Sequence, residues 1–300
     1  MPSIDRDELK RWIDETRAFV LLDVLPADAF EKTRLPGAKN ACIFEVTFLD
    51  QVKEHVASPD TEIVVYCSSP SSRASTDAAE RLAQAGYTQV HEFEGGREVW
   101  AEADYAFEGT EATWAPALAT TPEDRDYKVD PKKSIVEWTG RNIGGRHYGT
   151  VRVASGQVTI RDGVPAGGSF ELDMDSLEVG DLTGEMAELL VVHLKSDDFF
   201  ATAEHPTARF EIEGADVIVG ATPGAPNCNV SGGLTMRGVT GELSFAAVVA
   251  AKEEVLALDA HFDIDRTRWN VNYGSGKLYD GLGMHLVNDD VSLQIRLVAS

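Results

Sequence analysis

The chain has 300 residues, 43% of them apolar, and a formal net charge of −23. That length fits about two domains with cores of their own, and the charge excludes general affinity for nucleic acid phosphates or anionic membrane surfaces, which both need a positive field. No stretch approaches the roughly 18 consecutive apolar residues of a membrane span, and the amino terminus MPSIDRDELKRW has no cationic flank before an apolar run, so a cytoplasmic protein is expected.

The first hundred residues alternate helix and strand signals. Asp5 followed by Glu8 has the spacing of a capping box, and Leu9, Trp12 and Ile13 form an apolar stripe, which predicts a helix over 5–16. FVLLDV (19–24), EIVVYC (62–67) and QVHEFEGG (89–96) are short β-branched runs of the kind that fill parallel strands buried on both faces. Between them, Val46, Leu49, Val52 and Val56 keep helical spacing, as do Ala78, Ala79, Leu82 and Ala83 before Gly86. Strands alternating with helices predict an α/β domain with a mostly parallel sheet over 1–106.

Residues 107–126 mix Ala, Thr, Pro and acids without sustained periodicity and are expected to be a linker. Over 127–300 the period changes to two. Val151 and Val153, Val158 and Ile160, Phe170, Leu172 and Met174, Phe210 and Ile212, Val217 and Val219, Leu243 and Phe245, the run Leu256 to Ile264, and Val291 to Leu297 all alternate with other residues. RDG (161–163), GG (232–233) and RG (237–238) read as turns between antiparallel strands. Met186, Leu189, Leu190, His193 and Leu194 instead fall at helical spacing, which predicts one amphipathic helix inserted in an all-β barrel.

Three cysteines, Cys42, Cys67 and Cys228, show no CxxC spacing, so neither a disulfide framework nor a thiolate zinc site is indicated. Cys67 ends a predicted strand and precedes a helix starting near Ala74. A loop of that kind aims backbone N–H groups and the positive end of a helix at one point, where an oxyanion binds and a thiolate is favoured. Ser68, Ser69, Ser71 and Ser72 add hydroxyls to this candidate anion-binding loop, and Arg73 adds a fixed charge. The other reading of Cys67 is a small apolar residue at a strand end. Cys67 to Arg73 also has the Cys-x5-Arg spacing of tyrosine phosphatases, although Tyr66 stands where those sites usually have a histidine.

LLDV (21–24), Asp28, Phe30 and Glu31, LPGAKNA (35–41), VVYCSS (64–69), AGY (85–87) and FEGGREVW (93–100) stand in the order and spacing of the rhodanese family, which the first half resembles across nearly all of 5–103. The resemblance implies that Cys67 takes sulfane sulfur from thiosulfate or a persulfide donor, holds it as a persulfide and passes it to a thiol or cyanide acceptor. Arg73 would anchor the donor's oxygens. The loop CSSPSSR differs from the commoner pattern in having Ser68 after the cysteine, five residues before Arg73, and Pro70, which offers no N–H, in the bend.

YKVDPKKSIVEWTG (127–140), GGRHYGTVRVASGQV (144–158), GGSFELDMDSLEV (167–179), HLKSDDFFATAEHPTARFE (193–211), VSGGLTMRGVTGELSF (230–245) and FDIDRTRWNVNYGSG (262–276) resemble the YceI family throughout the second half. The implied fold is an eight-stranded lipocalin-like barrel around an isoprenoid-type lipid, either a quinone or a prenyl phosphate. No cofactor is required. His193, Phe199, Phe200, Arg266, Trp269 and Tyr273 are the candidate lipid-binding residues. Each also has a structural reading: His193 as a core histidine, the two phenylalanines as anchors of the inserted helix, and Arg266 as half of an ion pair with Asp263 or Asp265. His147, His193 and His285 share no metal-ligand spacing, so no metal site is predicted. The expected function is sulfur transfer through Cys67 coupled to lipid binding in the barrel. The alternative is a non-enzymatic isoprenoid carrier or sensor with a catalytically silent first domain.

Overall fold

The computed structural model describes residues 2–111, 113–114, 121–252 and 254–300. The chain divides into two compact units, residues 1–117 and 118–300. The expected linker, 107–126, lies partly outside the described residues. Of its described part, Arg34 and Glu108 exchange backbone hydrogen bonds and the Thr110 N–H donates to the Glu31 carbonyl, so this stretch packs on the first unit. Asp126 already opens a strand of the second.

The first unit runs α1 (Arg6–Asp14), β1 (Val20–Asp23), α2 (Ala27–Lys32), β2 (Lys39–Asn40), α3 (Phe48–His55), β3 (Ile63–Tyr66), α4 (Ala74–Gln84), β4 (Val90–Phe93) and α5 (Gly96–Glu102). Asp5 accepts from the Glu8 N–H at 2.8 Å, the cap its spacing predicts for α1. The four strands are parallel, in the order β2-β1-β3-β4. Every residue of β3 is buried, as a β-branched run with cover on both faces must be. Its side chains alternate between two layers. Ile63, Val65 and Cys67 pack with Val52, Ala78 and Leu82, while Val64 and Tyr66 pack with Leu9, Phe93 and Trp100. Val46 departs from its expected helical stripe: it is exposed and precedes α3.

The second unit contains β5 (Asp126–Lys128), β6 (Ile135–Asn142), β7 (Gly145–Arg161), β8 (Val164–Val179), α6 (Glu185–Lys195), β9 (Thr207–Val217), β10 (Cys228–Met236), β11 (Val239–Lys252), β12 (Val255–Asp265) and β13 (Asp290–Ala299). The eight strands β6 to β13 form a closed antiparallel barrel, with β7 and β8 long enough to pair both with each other and with β6 and β9, and β5 lies along β7. Closure removes the exposed edges that an open sheet would leave. Asp162–Gly163 and Arg237–Gly238 each join two strands with positive φ at both residues (52° and 77°, 49° and 71°), the backbone of a tight right-twisting hairpin.

Gly232 and Gly233, expected as a turn, lie inside β10, where pairing with β9 shifts register between Ser231 and Gly232. The stripe expected along α6 also divides. Leu194 is buried and Leu190 packs on the barrel core, whereas Met186 and Leu189 face outward and are 61% and 64% exposed. Val217, the last residue of β9, and Val219, in the turn beyond it, depart from the expected alternating strand and are both exposed. Among the described residues, no helix is long and apolar enough to cross a membrane.

Candidate functional site

Cys67 stands one residue past β3, and α4 begins at Ala74, so the strand–loop–helix arrangement expected around the cysteine is present. What surrounds the sulfur differs from the expected cradle. Cys67 is fully buried, and its Sγ lies 3.5 Å from the Ser69 carbonyl oxygen, 3.7 Å from that of Ser72 and 3.2 Å from Ser75 Oγ. These neighbours are oxygens able to accept from the thiol, not amide hydrogens.

The loop serines are largely engaged with the loop itself. Ser69 Oγ and Ser71 Oγ pair at 2.9 Å, the Ser72 N–H donates to the Ser69 carbonyl, Ser72 Oγ accepts from the Ala74 N–H, and the Ser68 carbonyl accepts from the Glu98 N–H. Arg73 directs its guanidinium to Asp77, 3.4 Å away, with four-fifths of the side chain exposed. It therefore stands in solvent and not over the sulfur.

The loop is braced from beneath by the FEGGREVW stretch. Gly96, at φ +57°, approaches so closely that a Cβ there would stand 2.6 Å from the Cys67 carbonyl oxygen, which explains why glycine opens α5. The next N–H, of Arg97, donates to that same carbonyl at 3.0 Å. The Arg97 guanidinium then reaches Asp23 at 2.8 Å, with both side chains buried. Tyr66 adjoins this pair and accepts from the Leu35 N–H; burial first, then the Asp23 carboxylate, push its phenol well above the usual range. Behind the sulfur, Ser75 Oγ donates to Glu92 at 2.9 Å, and Thr76 Oγ1 donates to the same carboxylate oxygen at 2.8 Å. Glu92 belongs to no motif of the sequence. Its signal was an acid where a buried strand position calls for an apolar residue.

The barrel encloses an apolar cavity of about 310 Å³. Phe170, Phe210, Phe245 and Phe262 line it as a chain of ring contacts with centroids 5.6, 5.5 and 4.2 Å apart. Nothing in the sequence marks them as site residues beyond their inward positions on period-two strands. An engineered apolar cavity of about 150 Å³ binds benzene, so the observed space matches roughly a dozen carbons on the same scale.

Of the six candidate lipid-binding residues, His193, Phe199, Phe200, Arg266 and Tyr273 do line this cavity. Trp269 does not: it is fully buried in the barrel core and donates its indole N–H to the Leu234 carbonyl at 2.8 Å. His193 makes edge-to-face contacts with Phe199 and Tyr273, and its Nε2 lies 3.3 Å from Asp198. Tyr273 continues the polar side of the cavity, its hydroxyl 3.5 Å from His285 Nδ1. Arg266 is buried and donates to the Val271, Val287 and Asn288 carbonyls, with Asp289 at 3.6 Å. Its ionic partner is thus Asp289 and neither Asp263 nor Asp265. Burial pulls the guanidinium below its ordinary range. His147 pairs with Asp181, and among the described residues no cluster of three or more His, Cys, Asp or Glu side chains could hold a metal ion.

A closed antiparallel barrel with an aromatic-lined interior, joined to a parallel α/β unit with a cysteine at a strand–helix junction, defines a two-domain class of protein. The YceI-like domain model matches residues 127–299 and the Rhodanese-like domain model matches residues 5–103. The chain belongs to the YceI-like family and carries a rhodanese-like domain before its barrel. Similar solved structures include BcnA from Burkholderia cenocepacia, 23% identical, covering 57% of this chain and 99% of that one with a TM-score of 0.46. Another is a polyisoprenoid binding domain from Saccharophagus degradans, 15% identical, covering 58% and 97% with a TM-score of 0.44. Thiosulfate sulfurtransferase from Pseudomonas aeruginosa is 21% identical, covering 38% of this chain and 21% of that one with a TM-score of 0.33. No curated protein matches the chain.

Proposed function

We propose that the barrel binds an isoprenoid-type lipid and that Cys67 of the rhodanese-like domain transfers sulfane sulfur. The observation that carries the lipid half is the apolar cavity with its chain of phenylalanines and a polar side formed by His193, Tyr273 and His285. Each buried methylene contributes roughly 0.8 kcal/mol, so about a dozen carbons give ample affinity, and the polar side suits a headgroup such as a quinone ring. The three free thiols fit a reducing compartment such as the cytoplasm.

In the sulfur half, the Cys67 thiolate attacks the outer sulfur of thiosulfate, the S–S bond breaks and sulfite leaves with the electron pair. The persulfide then yields its outer sulfur to a thiol or, in an assay, to cyanide, which becomes thiocyanate and restores the thiolate. The buried sulfur requires the Ser68–Arg73 loop to open for each transfer. That burial favours a second reading, an isoprenoid carrier whose first domain is catalytically silent.

Incubation with thiosulfate and cyanide separates the two. Thiocyanate formed by the wild type and abolished in Cys67→Ser supports transfer, and no thiocyanate from either protein supports the carrier. Lipid binding is read independently by titrating farnesol against the fluorescence of Trp138, which lines the cavity. A saturable change supports the barrel reading, and a flat titration contradicts it.

A further inference from the structure

Glu92 is an isolated buried acid. It is 7% exposed, and among the described residues it forms no ion pair. Its side-chain partners are two hydroxyls of α4, those of Ser75 and Thr76. Among the described residues, the surrounding elements bring no compensating cation. On β4 itself, His91 turns to Glu62; on β3, the residue paired with Glu92 is Val65; the segment before α1 meets it only through the backbone of Pro2 and Ile4. Arg97 is held by Asp23 and Arg73 by Asp77. A polar side chain so placed is costly to bury without hydrogen bonds, and the two α4 hydroxyls supply them.

The Cys67 loop has the complementary need. Ser68 follows the cysteine, Pro70 offers no N–H, and Arg73 lies in solvent, so among the described residues no fixed cation faces the sulfur. A continuous line of side chains does: Cys67 Sγ to Ser75 Oγ at 3.2 Å, then Ser75 Oγ to Glu92 Oε1 at 2.9 Å, with both Ser75 and Cys67 shielded from water. We propose that Glu92 is a positioning residue for Cys67, accepting the thiol proton through the Ser75 hydroxyl when the thiolate forms. The Cys67 S–H proton passes to Ser75 Oγ as the Ser75 O–H proton passes to Glu92. The products are a thiolate hydrogen-bonded to Ser75 and a neutral carboxylic acid. The site keeps a single negative charge throughout, which moves from Glu92 to the sulfur and so replaces the missing cation. Thr76, donating to the same oxygen, fixes the carboxylate on the side of Ser75. This role rests on Cys67 being the reactive thiol of the sulfur-transfer reading.

Alkylation tests it without needing a sulfur donor. Full-length wild type, Glu92→Gln, Glu92→Asp and Ser75→Ala are treated with iodoacetamide across a pH series, and the Cys67 adduct is quantified by peptide mass spectrometry. The expected result is at least about a tenfold slower reaction near neutrality for Glu92→Gln and Ser75→Ala, the change that one unit in thiol pKa produces. Rates should converge with the wild type at alkaline pH, and Glu92→Asp should recover part of the loss. Two results overturn the proposal. One is a Glu92→Gln profile moved to lower pH, which makes the carboxylate a repelling charge; the other is a rate change equal at every pH, which makes Glu92 a brace of the loop. Should a variant unfold, Glu92→Asp or Ser75→Ala supplies the same profile comparison. A wild type that makes no thiocyanate yet shows the Glu92-dependent profile would defeat the sulfur-transfer reading and leave the relay standing.

Discussion

Arg97 Nη2 and Asp23 Oδ2 meet at 2.8 Å with both side chains closed off from water, and the Arg97 backbone N–H holds the Cys67 carbonyl. The ion pair thereby ties β1 to the start of α5 and to the cysteine loop. Breaking a buried pair from one side leaves an uncompensated charge, at a cost of about 3–5 kcal/mol. Asp23→Asn should therefore destabilise the first unit by about that amount, measured by urea unfolding with hydrogen exchange read on peptides from residues 5–103. The paired replacement Asp23→Leu with Arg97→Met should recover most of it, since an apolar pair of similar volume avoids the desolvation cost.

Gly96 provides a sharper probe of the loop. A methyl group there meets the Cys67 carbonyl, and the φ of +57° is strained for any side chain, so Gly96→Ala should cost about 1–3 kcal/mol. Because the clash falls on the cysteine's own peptide, thiocyanate formation should drop out of proportion to the stability loss. Activity that stays at the wild-type level would separate Gly96 from the site.

The cavity can be filled from within. Ala208 lines it and is 2% exposed. Ala208→Phe should lower farnesol affinity by at least about tenfold while changing stability by no more than about 1–3 kcal/mol, the usual range for added volume. Undiminished affinity would mean that the ligand lies elsewhere.

Acid sensitivity should arise in the barrel at Asp265. Burial opposes its ionisation, but hydrogen bonds from Lys277 and Thr267 outweigh this and hold the carboxyl below its ordinary value. A depressed carboxyl contributes stability above the unfolded value of about 4 and loses it as pH falls through the folded one. Asp265→Asn should thus be less stable than wild type at neutral pH, by at most about 1 kcal/mol, and the difference should vanish as pH falls through the lowered folded value. Thermal unfolding across the pH series checks this.

Burial pushes the Cys228 thiol up to about 11. At pH 8, iodoacetamide should leave Cys228 unmodified in the folded protein, and peptide mapping would detect any exception.

Much of the fold is legible from residue order. β-Branched runs separated by helical stripes define the parallel unit, and period-two alternation defines the barrel strands, because both patterns record which side chains leave water. The errors have local causes. The glycine pair 232–233 looks like a turn but serves a register shift in β10, a pairing matter that one strand alone does not encode. The helical stripe from Met186 to Leu194 splits because α6 covers the barrel with only part of its circumference.

The sites are less legible than the fold. Cys67 stands out through its position before a helix, yet the orientation of its thiol depends on Ser75 and Glu92, which come from two other elements. Arg73 looks like an anchor by spacing alone, whereas Asp77 one helical turn later draws it into solvent. Trp269 and the four cavity phenylalanines are all large aromatics with opposite fates: the phenylalanines sit at inward strand positions, whereas Trp269 ends a short 3-10 turn after β12 and is held in the core by its bond to Leu234.

The most direct measurement is mass spectrometry of organic extracts from the purified full-length protein, made beside native mass spectra of the intact chain. A stoichiometric isoprenoid-type molecule, released on unfolding and lost in Ala208→Phe, is the predicted result. An intact mass equal to the bare polypeptide, with nothing extracted and no uptake of added farnesol, would contradict a lipid-binding barrel.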